Sequence, residues 1–333
     1  MNWSKGYSSE YYMTVIDPVT WQDTERIDIT GGSIQRERDG LMQSASINCV
    51  NYPKTVEQWV RVYLDTDQNG NNGHEALFTG LATSPTQGWN GSIHSDTLEC
   101  YSVLKPVSDI DLTLGWYAPA GMSGGEVIRE LLSVTPAPVV ITDNSPTLQS
   151  HIIAESGETR LTMIEKVLTA INWRLRINGS GLISVEPMAM DIVQAFGVNE
   201  NDMIETQINV SQDWFDCPNV FMAIQDEMTA IAKDEVSNSP ISIMNRGREV
   251  WSQESGCALS DNETIMQYAQ RRLKEEQKIN LTAQYARRYI PDVYPSDKIR
   301  MQYPEQGLDG VFEVSSQNID LNYEARTSEE IIA

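Results

Sequence analysis

Histidine, cysteine and carboxylate side chains are the material from which a metal site or a nucleophilic centre is built. The histidines are His74, His94 and His151. None lies four residues from another, so no helix carries a histidine pair able to grip zinc. Cys49, Cys100, Cys217 and Cys257 contain no C-x-x-C spacing, which removes the usual zinc and dithiol signatures. No G-x-S-x-G elbow and no G-x-x-x-x-G-K-[ST] phosphate loop occurs, and Cys100 has no local catalytic signature. Asp65-Thr66-Asp67-Gln68-Asn69-Gly70 opens like an EF-hand calcium loop. The bidentate Glu required at its twelfth position is replaced by Ala76, with Glu75 one residue early. Strand-like flanks make this stretch a polar hairpin tip instead. A carboxylate pair for glycoside hydrolysis is a spatial arrangement, and no local feature points to one. Trp59, Trp89, Trp116, Trp214 and Trp251 could form a sugar-binding face, but scattered tryptophans in β proteins more often serve packing. The sequence thus nominates no catalytic, cofactor-binding or metal-ligating residue, and it leaves the interaction residues unknown.

The elements that would carry these residues are mostly short alternating strands. Tyr11, Met13 and Val15 alternate, as do Ala45, Ile47 and Cys49, and then Val60, Val62 and Leu64. Leu77 to Leu81 and Leu98 to Leu104 complete a first β region, with Gly80 at a bulge or close backbone contact. Thr30-Gly31-Gly32, Asp39-Gly40, Asn51-Tyr52-Pro53 and Asn69 to Gly73 read as turns between these runs. Such spacing predicts a barrel or sandwich. Cys49 and Cys100 fall inside strands as small reduced core residues.

Thr159–Pro187 breaks this pattern. Leu161, Ile164, Val167, Leu168 and Ile171 recur at steps of three and four on one helix face, and Thr159 is placed to cap it. Trp173, Leu175 and Ile177 then alternate with Arg174, Arg176 and Asn178 as a half-buried strand. Asn178 to Gly181 reverses the chain, and Ile183 and Val185 return it. Ser123 to Glu126 fits a capping box before a helix at about 124–133, and Val139 to Ile141 fits a strand. Further on, Val220, Met222 and Ile224 alternate, while Ala230 to Asp234 is poorly periodic. Ser260 to Glu263 is a second capping box, opening a helix over about 261–276. In the last strands the apolar parity slips near Ser315-Ser316-Gln317, predicting a bulge. The acidic stretch from Thr327 reads as a mobile or partner-ordered tail. Gly80 and Gly310 mark strands late in each β region, a faint sign of internal pseudo-symmetry.

The fold expected is a β-rich α+β chain with three parts: a barrel-like antiparallel β domain over 1–105, a small α/β domain over 106–200, and a second barrel-like domain over 201–333. The 333 residues suffice for this, and no run approaches the roughly 20 apolar residues of a membrane helix. The N-terminal Met-Asn-Trp-Ser-Lys-Gly lacks signal-peptide features, which predicts neither export by the usual route nor structural disulfides. The net charge of −23 repels nucleic acid and anionic membrane, so sequence-specific nucleic-acid binding is disfavoured. The plain meaning of that charge is solubility; the sharper one is a surface along which a polyanion passes without sticking.

Several stretches together resemble the bacteriophage tail and baseplate hub proteins, including the late-control D proteins and the N-terminal parts of tail-associated proteins. Leu77-Phe78-Thr79-Gly80 is similar to a strand ending the first barrel hairpin. Val127 to Leu132 resembles the first helix of an inserted domain. Glu158 through Trp173 to Val185 resembles its helix and hairpin. Asn238 to Ser242 with Asn245 to Arg248 is similar to a segment of the second barrel. Tyr294-Pro295-Ser296-Asp297 and Gly310 to Val314 resemble the final strands. The resemblance implies a non-enzymatic homotrimeric ring in the virion tail, made in the host cytoplasm, with no cofactor and no membrane anchor. It implies partners in the tail tube or distal tail protein, the central spike or tail-tip protein, and the tape-measure protein. The ring would enclose the channel for tape measure and DNA. The chain departs from the family in carrying no peptidase, lysozyme or fibre extension. The other reading is a carbohydrate-binding or depolymerising β-protein of a phage tail.

Overall fold

A closed barrel opens the chain. Its strands are β1 (Ser8–Ile16), β2 (Asp23–Glu37), β3 (Ser44–Val50), β4 (Gln58–Gln68), β5 (Asn71–Ala82) and, beyond the short β6 (Thr86–Asn90), β7 (Ile93–Ser102). The antiparallel ladder runs β1-β4-β5-β7-β3-β2 and closes by pairing β2 with β1. The computed structural model describes the chain except residues 1, 4, 39–42, 51, 53–55, 92, 189–190, 198–202, 213, 226–227, 256, 258–263, 278–280 and 323–325, and the side chains of residues 90, 93 and 94. The expected turns at Asp39-Gly40 and Asn51 to Pro53, the capping box from Ser260 to Glu263 and the His94 side chain fall wholly or partly on those residues. Met13, Ile47, Cys49, Val62, Leu64, Leu98 and Cys100 fill the barrel interior, as their alternation requires. Each large aliphatic side chain buried in this way contributes about 1.5–3 kcal/mol.

Thr30-Gly31-Gly32 is no turn. It lies inside the continuous fifteen-residue β2, at a register shift against β3 between Ile29 and Gly31. A Cβ on Gly32 would stand 2.2 Å from the Ser46 carbonyl oxygen. The bulge thus falls at Thr30, just before the two glycines, and through it one strand serves two neighbourhoods. Its first half pairs β1, and its last residues, Ser33 to Glu37, pair a strand from the far end of the chain. In β5 the register shift lies opposite Val62/Tyr63, not at Gly80. Gly80 is instead the close contact: a Cβ there would meet the Tyr101 carbonyl oxygen at 2.1 Å.

The next segment has its own core. It comprises α1 (Lys105–Ser108), β8 (Tyr117–Ala118), α2 (Gly124–Leu131), β9 (Val139–Ile141), β10 (Ile152–Ile153), α3 (Arg160–Ile171), β11 (Trp173–Ile177) and β12 (Ile183–Pro187). Leu131, Met163, Ile164, Val167, Ile183 and Val185 belong to one apolar cluster here. Thr159 caps α3 by accepting from the Thr162 N–H, and Asn172 ends it in the left-handed conformation at φ 54°. Helix α2 begins at the expected place but without the expected box. Ser123 makes no side-chain cap, and the Ser145 hydroxyl accepts from Gly125 N instead. Strands β13 (Ile192–Gly197) and β14 (Ile204–Gln212) follow.

By contact density the chain forms two compact units, Met1–Ile208 with Gln284–Ile331, and Asn209–Ala283 with Ile332–Ala333. They divide the region expected as one domain over 201–333. The second unit contains β15 (Val220–Gln225), β16 (Met228–Lys233), α4 (Ile243–Arg246), β17 (Trp251–Ser255) and α5 (Ile265–Glu276). Its sheet has the order β16-β15-β17, with β17 parallel to β15, and Tyr268, Ala269 and Leu273 of α5 share a core with Phe221, Ala223, Ala230 and Ala232. Ala230 to Lys233, expected to be irregular, lies in a strand whose buried residues are alanines too small to show a strong period. Helix α5 carries a complete capping box, formed by Thr264 and Gln267. The Asn238 to Arg248 stretch is a loop knot around α4: Ser242 caps it, and Asn219 donates to the Ile241 and Arg248 carbonyls.

The first unit is completed by β18 (Leu281–Arg288), β19 (Lys298–Tyr303), β20 (Leu308–Asp320) and β21 (Arg326–Ile332). These extend the barrel sheet through β2-β20-β21-β18-β14, with β13 and β19 branching from β20, to thirteen strands. The parity slip near Ser315 is a change of partner: β20 pairs β19 up to Glu313 and β2 from Ser316, and its buried face switches there. A Cβ on Gly310 would meet only the Phe312 ring, at an ordinary 3.7 Å, so Gly310 does not repeat the role of Gly80. The expected acidic tail is a strand. Thr327, Glu329 and Ile331 of β21 are buried, because Glu329 finds a cationic partner in the core.

Candidate functional site

The side chains able to do chemistry are dispersed. His74 lies on β5, stacked on Tyr63, with Nδ1 2.6 Å from Asp65 Oδ1. His151 accepts from the Ala120 N–H at 3.2 Å. Asn69-Gly70 forms the two-residue β4–β5 turn, with both φ values positive, so the calcium-like stretch is the polar hairpin tip expected. All four cysteines are free and buried. Burial pushes the Cys49 thiol up to about 11, so it holds almost no thiolate at neutral pH. Among the described residues no group of histidine, cysteine and carboxylate side chains is placed to hold a metal. Trp59 packs with Trp21 against the α/β core and Trp116 lies on the same core, while Trp89 is exposed on β6, Trp251 on β17 and Trp214 outside any helix or strand.

Charge is concentrated instead where the β11–β12 hairpin meets the large sheet. The alternation in β11 would send Arg174 and Arg176 to solvent. Both instead reach Asp297, which is fully buried: Arg174 Nη1 at 3.2 Å and Arg176 Nη2 at 3.3 Å. Asp297 also accepts from the Tyr294 N–H, so Tyr294 to Asp297 is a tight anion-holding turn. Arg174 additionally pairs with Glu186 across the hairpin at 2.7 Å. At the tip, Thr79 donates to the Gly179 carbonyl and Arg61 to the Ser180 carbonyl, while Arg61 pairs with Asp23 at 3.0 Å. Gly179 is obligatory for this approach, since a Cβ would lie 1.6 Å from the Ala76 carbonyl oxygen.

A second buried group fastens β21. Arg287 and Glu329 form an ion pair that is almost wholly inaccessible, and Tyr285 donates to the same carboxylate at 2.7 Å. Gln317 donates to Glu329 Oε1 at 2.6 Å and accepts from Arg36. Burial first, and the neighbouring Glu329 charge second, hold the Tyr285 hydroxyl well above its ordinary pKa. Such networks fix geometry; none presents a reactive atom to solvent. Sequence reasoning missed Asp297 and Glu329 because their partners lie 123 and 42 residues away. The only local signal was Tyr294 to Asp297, which the resemblance had picked out.

A closed barrel continuous with a second sheet, clasping an α/β segment by a hairpin, is the fold of bacteriophage tail proteins. Over 97% of both chains it matches the tail protein from Neisseria meningitidis MC58, at a TM-score of 0.71 and 15% identity. It matches the 43 kDa tail protein of prophage MuSo2 from Shewanella oneidensis with the same coverage, at 0.68 and 12%. It also matches E. coli c3393, a type VI secretion component described as similar to the T4 tail proteins gp27 and gp5, at 0.51 and 8%, over 92% of this chain and 73% of that one. Neither a family model nor a curated protein sequence matches the chain.

Proposed function

We propose that this chain is a structural tail hub. Three copies close a ring on the tail axis, join the tail tube to the central spike or tip, and enclose the channel for tape measure and DNA. The observation that carries this reading is the fold itself, shared from end to end with phage tail proteins. The separate apolar core spanning Val103 to Val185 supports treating 106–200 as an α/β insertion that follows a barrel domain over 1–105. The net charge of −23 suits a lumen through which DNA moves without binding. We assign the chain no reaction, because its buried charges act in ion pairs that hold the hairpin and β21 in place. Its site of action is the virion tail, with tube or distal tail, spike or tip, and tape-measure proteins as partners. Native mass measurement of the chain alone and with its tail partners tests the reading. A threefold assembly is expected, and a chain that stays monomeric even with those partners contradicts it.

A further inference from the structure

Four Asn-Gly pairs occur in the chain, at Asn69, Asn72, Asn90 and Asn178. Asparagine is thermolabile, most of all before glycine, because the next amide nitrogen can attack the side-chain carbonyl where no Cβ stands in its way. The fold treats these pairs unequally. Asn178 is held: its Oδ1 accepts from the Ser180 hydroxyl at 2.8 Å and from the Leu182 N–H at 3.0 Å. The following Gly179 is packed on the Ala76 carbonyl, and its N–H donates to the Tyr294 hydroxyl. Asn72 lies in β5, with Gly73 in the ladder opposite Thr66. The Asn90 side chain lies outside the described residues. Asn69 is different. It is exposed, its carboxamide makes no hydrogen bond among the described residues, and it opens the two-residue β4–β5 turn at φ 55°. A Cβ on Gly70 would meet nothing within 4 Å, so the turn has room to rotate. The Gly70 N–H donates to Asp67 Oδ1 at 2.7 Å, within the reach of a general base.

We propose that Asn69 is a site of spontaneous deamidation, with Asp67 taking the proton from the attacking Gly70 nitrogen. The bond from Gly70 N to Asn69 Cγ forms and the Cγ–Nδ2 bond breaks. The departing nitrogen collects the proton from Asp67 and leaves as ammonia. Water then opens the succinimide ring to aspartate or isoaspartate, with no change of oxidation state. Either product adds one negative charge to a tip that already carries Asp65 and Asp67. Isoaspartate also adds one backbone atom to a turn that has only two residues with which to set the strand register. The start of the chain depends on that tip: the Gln68 side chain accepts from the Asn2 N–H and donates to the Asn2 and Gly6 carbonyls. Ageing of the turn therefore loosens the N-terminal segment. To test this, the full chain is aged at neutral pH and each Asn-Gly pair is followed by peptide mapping with mass spectrometry. Product should appear at Asn69 before Asn72 and Asn178, and unfolding in urea should abolish that order. In Asp67→Asn the side-chain oxygen still accepts from Gly70 but is no base. The rate at Asn69 should then fall about tenfold, less than a sheltered base contributes because hydroxide also reaches this exposed turn. Equal rates at Asn69 and Asn178 in the folded chain overturn the site, and an unchanged or faster rate in Asp67→Asn overturns the role of Asp67. Hydrogen exchange reads the consequence. The N-terminal peptide should exchange faster in aged than in fresh chain, while freshly prepared Asn69→Asp, with the charge but an ordinary backbone, should match fresh chain. Unchanged exchange in fully converted chain overturns the link to the N-terminal segment.

Discussion

Glu329 shows what one side chain does for this fold. Its carboxylate holds Arg287, Tyr285 and Gln317 in a region closed to water. Removing it leaves a buried guanidinium without its counter-charge, and breaking such a pair destabilises by about 3–5 kcal/mol. Glu329→Ala should lower the urea midpoint accordingly, while Glu205→Ala, which breaks the exposed Glu205–Arg326 pair, should shift stability by about 1 kcal/mol or less. Equal shifts for the two variants would contradict the buried network. Tyr268 gives a pH signature in the second unit. Burial, and then its hydrogen bond to Glu254, push the phenol up to about 12 from an ordinary 10.0. The folded state therefore keeps a proton that the unfolded state releases. The linked stability is complete below pH 10 and is lost as pH rises from about 10 to 12. Denaturation series across that window should show the decline, and Tyr268→Phe should flatten part of it; an unchanged slope in the variant would remove Tyr268 as a contributor.

Helix α3 and the β11–β12 hairpin were readable from sequence because periodicity and capping are local properties. The hairpin's docking was not readable. Arg174 looks like a solvent residue until Asp297 is brought beside it, and Gly179 looks like a simple turn glycine until Ala76 lies against it. The same limit explains Gly31-Gly32. A glycine pair has one local meaning, backbone freedom, and only the neighbouring strands decide between turn and bulge. Likewise the charge of β21 suggested solvent, because its partner on β18 is distant in sequence. The hairpin can be tested directly. Gly179→Ala places a methyl into the Ala76 carbonyl, and overpacking of this kind costs about 1–3 kcal/mol or more. Hydrogen exchange should then accelerate at residues 173–187, whereas Gly6→Ala, which has open space around it, should leave exchange unchanged. Unchanged protection in Gly179→Ala would show that the tip does not depend on this approach.

For the whole molecule, the barrel class was legible because most of its strands alternate cleanly, whereas the single sheet running from β1 through β2 into β20 and β21 was not. Its joints are long-range pairings such as Ile34 with Ile319. No chemical centre was nominated from sequence, and the structure uses its conspicuous charges as fastenings. On the hub reading, what the chain contributes is shape and charge. A ring built from it should place excess Asp and Glu on the lumen, and a lumen lacking that excess would contradict the DNA-passage role. The most direct measurement is imaging of tails that contain this chain with an identifying label. A threefold ring on the tail axis, between tube and spike or tip, is the predicted result. Label away from the axis, or a single copy per tail, would contradict the hub.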